Sequence, residues 1–531
     1  FSLSISCKQD HILGGITAAV AEVERARQHG FTAAELARAK ALYLTAAERK
    51  VKMEADRRNS YFVNQCVNNF LEGEPILSAA EACALVKGFD AQVSLGDVNR
   101  EAAALITDTN QVFVLYGPDK AEVTLPTEEA ISTAIEQAQR QQYEPYREAA
   151  VPTTLIDQLP KPGKIVAEKP YGKFGMTEIT LNNGLKAYVK PTDYQADQVT
   201  LTLKGDGSVY TDADIPNFSL LTSAVTEAGV GRFDAVSLRK ALTGKSVKVQ
   251  PSVGQSSQQI AGTSSVRDME TMLQLTYLYF TAPRRDTLAF GGLMNRTRSF
   301  LTNRDASPKV AYNDSLTAVL YGHHPRLAPV TRSVVDCADY DRILQMYRER
   351  FSDASGFKAV IIGRVDMDRL RPLLCQYLGS LPAAHRGEKT CRERLPQMVK
   401  ANEVVRFTKK MPTPLANVSI FYTADVDFSP RTDLTLDMLQ RCLQIAYTDS
   451  VREEKGGTYG VGVSFDLEKD DRPNALLRIS YKADPNRYAE LNPIVYRQVE
   501  HMAQQGPQAS SLDKVKRYLK KQYAQMAITN D

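Results

Sequence analysis

"VERARQHGFTAAELARAK" at residues 23–40 and "VEHMAQQGPQASSLDKVK" at residues 499–516 align without a gap, since 499 and 23 differ by 476, as do 516 and 40. Val23, Glu24, Gln28, Gly30, Ala33, Leu36 and Lys40 recur as Val499, Glu500, Gln504, Gly506, Ala509, Leu512 and Lys516. In each copy a glycine interrupts two amphipathic runs, and a residue without Cβ is what a tight helix-to-helix turn requires. The same offset lays "FSLSIS" (1–6) on "LRISYK" (477–482), both alternating as strands do. An unbroken register across strand, helix, glycine and second helix is the mark of a duplicated unit. Phe1 then corresponds to Leu477 and Asp531 to Ala55. The expectation is a piece of a longer protein, with the front of one unit and the back of another missing. The opening residues carry neither an initiator Met nor the basic, apolar and cleavage segments of a signal peptide.

The 531 residues suggest about three domains. A hydrophobic share of 43% and a charged share of 24% belong to a globular chain. A net charge of +4 is small for this length and gives no support to a nucleic-acid partner. No apolar run is long enough to span a bilayer. Cys7, Cys66, Cys83, Cys337, Cys375, Cys391 and Cys442 are scattered and odd in number, so they form neither a disulfide framework nor a zinc ribbon. The compartment stays open between bacterial periplasm and cytoplasm, and the oligomeric state stays open too.

Periodicity predicts strands at "FSLSIS" and "QVFVLYGP", with long helices between them. "TEEAISTAIEQAQRQQ" reads as a Thr-capped helix, and "VPTTLIDQLPKPGKIVAEKP" as a proline-rich linker. "TEITLNNGLKAYVK" reads as a hairpin about Asn183-Gly184, followed by a strand at "QVTLTLKGDGSVY" and a helix beginning near Pro216. "SVGQSSQQIAG" is expected to be a polar-faced strand, "RKALTGKSVKV" a solvated helix end, and "FKAVIIGRV" a closing strand. A similar order restarts near residue 387 with "VVRFTKK", "LANVSIFYTA" and the helix "LTLDMLQRCLQIAYTDSVREE". Strands clustered ahead of helices predict an α+β fold of repeated mixed or antiparallel sheets, each with helices on one face.

"DSVREEKGGTYGVGV" (449–463) places Arg452 near a helix end, then Gly456 and Gly457, which suit a helix C-terminus. Tyr459, Val461 and Val463 alternate along the next strand and share one face. From the residues alone, ordinary helix–loop–strand packing and a functional Arg–Tyr pair both remain open.

The duplicated α+β order, together with this Arg, glycine turn and Tyr seven residues on, resembles the pitrilysin/insulinase family of zinc metallopeptidases, the inverzincins. "YGHHPRL" (321–327) and "GEPILS" (73–78) resemble loops of that family, and both look architectural. The resemblance implies two homologous halves closing like a clamshell around a peptide chamber, this chain being the C-terminal portion without the catalytic N-terminal domain. It divides the chain into the later part of domain 2 (1–125), a helical and proline-rich linker (126–171), a domain 3 without metal ligands (172–385) and a truncated domain 4 (387–531). It also implies that Arg452 binds substrate and that Tyr459 contacts substrate and donates a hydrogen bond to the tetrahedral oxyanion, as a catalytic residue.

The family's chemistry needs His-x-x-Glu-His, two zinc-binding histidines on one helix face with a glutamate base between them. None of His11, His29, His323, His324, His385 and His501 stands in that motif. Placed on the family pattern, "NFSLLTSAV" puts Leu220, Ser223 and Ala224 where the three residues would be, and these cannot hold a metal. Zinc is therefore expected in the full-length protein and not in this chain. Adjacent His323 and His324 lack a carboxylate or Cys at ligand spacing and read as a loop. "SVGQSSQQIAG" lacks the Lys-Ser/Thr pair of a phosphate loop. Three readings follow: the substrate-chamber half of a zinc endopeptidase acting on peptides or small proteins, a non-catalytic relative serving as a partner-binding or assembly subunit, or a helix-rich scaffold whose repeat is coincidental. Retention of Arg452 and Tyr459 favours the first, because a subunit without chemistry has no need of an oxyanion donor.

Overall fold

The computed structural model describes residues 2–7, 9–107, 110–117, 124–148, 152, 154–207, 210–304, 307–385, 395–411, 413–448, 460–467, 474–526 and 530. They fall into two compact units, one of residues 1–301 with 331–393 and 530, the other of 302–330 with 394–529 and 531.

The first unit opens with six helices: α1 (Ile12–His29), α2 (Ala33–Lys52), α3 (Asn59–Glu72), α4 (Ala79–Gln92), α5 (Leu95–Leu105) and α6 (Glu128–Arg140). Thr32 caps α2 through a capping box with Glu35, and Ser78 with Glu81 does the same for α4. β1 (Ile165–Tyr171), β2 (Met176–Leu181), β3 (Lys186–Pro191) and β4 (Val199–Asp206) follow. Next come α7 (Ile215–Ala228), α8 (Ala235–Ala241), β5 (Val247–Val253), β6 (Ser257–Ser264), α9 (Met269–Thr281) and α10 (Thr287–Arg304). After α11 (Pro308–Leu320), which belongs to the second unit, come α12 (Arg332–Asp336), α13 (Tyr340–Arg350), β7 (Phe357–Gly363) and α14 (Met367–Leu373) of the first.

The first unit's sheet runs β1-β2-β3-β7-β4-β6-β5, antiparallel throughout except for the β3–β7 pair. Alternation decides what it buries: Val199, Leu201 and Leu203 of β4 point into the core while Thr202, Lys204 and Asp206 face out. α9 packs against β5 and β6, and α7 against β5. The Asn183-Gly184 hairpin forms as expected, with Gly184 at φ +85° and the Asn183 side chain accepting from the Leu185 N–H. β1 reaches back into the proline-rich stretch and adds an outer strand. "RKALTGKSVKV" is more than a solvated helix end, because the Gly244 carbonyl accepts from Thr45 Oγ1 of α2 and from Arg267, and β5 starts at Val247.

In the second unit, β8 (Ala416–Ala424), α15 (Pro430–Tyr447), β9 (Val461–Leu467), β10 (Ala475–Ala483), α16 (Tyr488–Gln505) and α17 (Ala509–Met526) build an antiparallel sheet ordered β8-β10-β9. Its order β8-α15-β9-β10-α16-α17 repeats β4-α7-β5-β6-α9-α10, with α8 added between α7 and β5, and β4-β6-β5 are paired in the same arrangement. Tyr447, Val461, Val463, Ile479, Leu491 and Val495 form its core. The chain is α+β, a mixed sheet and an antiparallel sheet with helices packed on them.

The 476-residue register survives in three dimensions. α1 and α16 begin and end in register, and the glycines after them share one backbone conformation, φ/ψ of +70°/−168° at Gly30 and +72°/−176° at Gly506. Each glycine N–H donates to the carbonyl four residues back, Ala26 or Met502.

Three expected strands differ. Residues 2–7, 111–117 and 404–410 carry no strand ladder among the described residues. Leu3 is 56% exposed where its counterpart Ile479 is 0% exposed, and Val112 and Val114 are 86% and 79% exposed. The order 2–7, α1, α2, α5, 110–117, α6 follows that of β6, α9, α10, α13, β7, α14. In the seven-stranded sheet β4 lies between β6 and β7, so stretches standing in those two places do not neighbour each other. A strand exists only through a partner's hydrogen bonds, and residues 2–140 include no counterpart of β4 among the described residues.

Candidate functional site

α7 carries Leu220, Ser223 and Ala224, the positions on which the resemblance lays the zinc motif. Pro216 sits in its first turn, where its missing N–H costs nothing. Asp214, just ahead of the helix, takes a bidentate hydrogen bond from Arg342 of α13 at 3.0 and 2.8 Å. That contact, more than the burial opposing it, holds the Asp214 carboxyl below the usual aspartate range. Asn217 accepts from the Asp339 N–H at 2.7 Å, and Thr222 Oγ1 accepts from the Val253 N–H of β5 at 3.2 Å. With its start and its middle tied, the face bearing Leu220 and Ala224 turns into the core, leaving them 4% and 1% exposed, while Ser223 faces solvent. A buried isobutyl group and a methyl offer no lone pair, so α7 does not fit a zinc ion. Among the described residues no three His, Cys, Asp or Glu side chains gather as a metal site.

His323 and His324 are kept apart by the backbone. His323 has φ of +56° after Gly322 at +58°, and His324 Nδ1 accepts from the Arg326 N–H, capping the short turn Pro325–Leu327. The second loop is likewise built to turn: Gly73 closes α3 in a left-handed conformation, and Asn69 Nδ2 donates to the Glu74 carbonyl at 2.7 Å.

Arg452 and Tyr459 both lie outside the described residues. The elements that lead into and out of their segment are described and are fastened together. Gln444 on α15 donates from Nε2 to the Val461 carbonyl and accepts from the Val463 N–H through Oε1 at 3.0 Å. One turn earlier, Gln440 Oε1 accepts from the Phe465 N–H at 3.1 Å. Two glutamines at helical spacing thus hold the open edge of β9 against α15. Tyr447, the last residue of α15, is 1% exposed and donates to the Val495 carbonyl of α16 at 2.9 Å. Sequence reasoning missed this clasp; its signal was the i,i+4 pair of glutamines inside an otherwise core-facing helix.

The family profile described as "Peptidase M16 inactive domain" matches residues 338–519. Over that stretch the chain is similar to the inactive domain of M16 peptidases. It is 23% identical over 510 residues to the zinc protease PQQL-like protein of Arabidopsis thaliana, covering 93% of this chain and 51% of that protein. It is 22% identical over 508 residues to the probable zinc protease PqqL of Escherichia coli (strain K12), covering 92% of this chain and 52% of that protein. The chain spans about half the length of the curated relatives it matches. Among solved structures, the periplasmic protease PqqL from Escherichia coli superposes with a TM-score of 0.63 at 19% identity, covering 97% of this chain and 57% of that one. A mutant of the ferredoxin protease FusC in complex with Arabidopsis ferredoxin superposes with a TM-score of 0.61 at 16% identity, covering 97% and 56%. At these identities the two structures speak for the fold alone.

Proposed function

We propose that this chain supplies the substrate-chamber half of a zinc-dependent endopeptidase whose metal is held by another part of the full-length protein. The observation that carries the reading is α7: within a peptidase family, the helix that would bear the zinc motif turns Leu220 and Ala224 into its own core. A half without ligands is left with shaping the chamber and presenting polar groups to substrate. Arg452 is the substrate clamp, its guanidinium suited to bidentate contact with carbonyl or carboxylate oxygens. Tyr459 presents its hydroxyl to the tetrahedral oxyanion, where a placed donor acts mainly in the transition state. On this reading residues 1–125 are the later part of domain 2, 126–171 a linker, 172–385 domain 3 and 387–531 a truncated domain 4. A peptide or small protein is the substrate class, in keeping with the ferredoxin bound to the FusC mutant.

The test is zinc content and peptidase activity of this chain alone, and again beside a full-length form that includes it. The chain alone should carry well under one zinc and leave a denatured protein substrate intact, while the full-length form should carry about one zinc and cleave it. One tightly bound zinc on the chain alone, or cleavage by it, would overturn the reading.

A further inference from the structure

A pocket of about 350 Å³ opens in the first unit where the Gly184 turn, the end of β4, the start of β6 and the α13–β7 connection meet. Asp206, Gln258, Glu349, Arg350, Asp353 and His385 supply its polar lining. Its size falls at the lower end of small-ligand pockets, about 300–1,000 Å³. Nothing in the reading of α7, Arg452 or Tyr459 uses it.

Arg350 is the residue that asks for an explanation. It is 3% exposed, yet among the described residues no carboxylate stands within ion-pair distance of its guanidinium. Its partners are neutral: Nε donates to the Tyr210 hydroxyl at 2.7 Å, Nη1 to Gln258 Oε1 at 3.4 Å and Nη2 to the Gln255 carbonyl at 3.3 Å. The Tyr210 ring lies 4.3 Å from the guanidinium carbon. A buried cation is normally matched by an anion, and the two long Nη contacts leave its forked donors poorly spent. The rim has the opposite character. Glu349 is committed to Arg342, and Asp353 accepts from Ser355 and Ala384. Asp206 is exposed and takes no ion pair or side-chain hydrogen bond among the described residues.

We propose that this pocket binds a small zwitterion of the amino-acid class, a free amino acid or dipeptide, with its carboxylate on Arg350 and its ammonium on Asp206. A simple anion would meet the repulsion of three rim carboxylates, and a simple cation would meet Arg350; a molecule carrying both charges satisfies the two together. The carboxylate takes the planar fork of the guanidinium, and Phe357 adds an apolar residue to the lining. The inference is independent of the peptidase reading.

The experiment is saturation-transfer NMR on the 531-residue chain with glycylglycine, its N-acetyl form, its C-terminal amide, and acetate as probes. Glycylglycine should bind saturably. Removing either charge of the probe should weaken binding at least tenfold, as should Arg350→Gln or Asp206→Asn. Absence of saturable binding overturns the proposal, as does equal affinity for acetate or for a capped dipeptide. Should Arg350→Gln fail to fold, exposed Asp206→Asn decides: unchanged affinity for glycylglycine in that variant overturns the proposal.

Discussion

At Gly30 and Gly506 the backbone enters a region, φ near +70° with ψ near 180°, that is open essentially to glycine alone. A side chain at Gly506 meets open space, whereas a Cβ at Gly30 would come within 2.5 Å of the Asn99 side chain. Gly506→Ala should therefore destabilise by backbone strain alone, about 1–3 kcal/mol, and Gly30→Ala by more. Urea unfolding of both variants checks this, and a Gly506→Ala protein as stable as the parent would contradict it. Sequence revealed the glycines, because their recurrence at a fixed offset is visible in letters. Their shared conformation is not visible, nor is the burial of Arg350, since a sequence shows a charge but not the walls around it. Tyr210, which accepts from that guanidinium, is a further case: burial, partly opposed by Arg350, pushes its hydroxyl up to about 12, and nothing in "GSVYTD" announces it.

Between elements, contacts that no periodicity predicts fix the arrangement. Glu148, in the stretch expected to be linker, accepts from Arg38 of α2 at 2.9 Å and from Lys240 of α8 at 2.5 Å. Lys240 also donates to the Tyr146 hydroxyl at 2.9 Å. The Lys240 hydrogen bond foremost, and Arg38 after it, hold the Glu148 carboxyl below its usual range, and the same contact raises Lys240. A lowered carboxyl stabilises fully above the ordinary glutamate value, about 4.3, and loses that contribution as pH falls through its folded value. A raised lysine stabilises fully below its ordinary value, about 10.4, and loses that contribution as pH rises through its folded value. Glu148→Gln should thus cost about 0.5–1.5 kcal/mol at pH 7, and the difference from the parent should vanish in acid. Urea midpoints at neutral pH and near pH 3 test it, and a difference persisting in acid would assign the loss to packing. Helices and hairpins were legible because capping residues and Asn-Gly turns act locally. The alternating stretches at 2–7 and 111–117 have the strand pattern but no ladder, because a strand also depends on a neighbour that the pattern does not mention.

For the whole molecule, the repeat, the α+β class and the likeness to M16 peptidases were readable because each rests on many residues in register. α7 shows how a loss can be legible: Leu220, Ser223 and Ala224 offer no zinc-ligand set, and the fold turns two of them into the core. The positive half of the account rests on Arg452 and Tyr459, reached from α15 and β9, which Gln440 and Gln444 hold together. Its most direct test is steady-state kinetics of Tyr459→Phe in the full-length protein, with melting temperature as the folding control. Phe keeps the ring and removes only the hydroxyl. If that hydroxyl serves the oxyanion, kcat should fall on the order of a hundredfold to a thousandfold with KM little changed and the melting temperature unmoved. A kcat within about twofold of the parent, worth only about 0.4 kcal/mol, at unchanged stability would contradict the account and leave the run from 449 to 463 as a helix-to-strand turn.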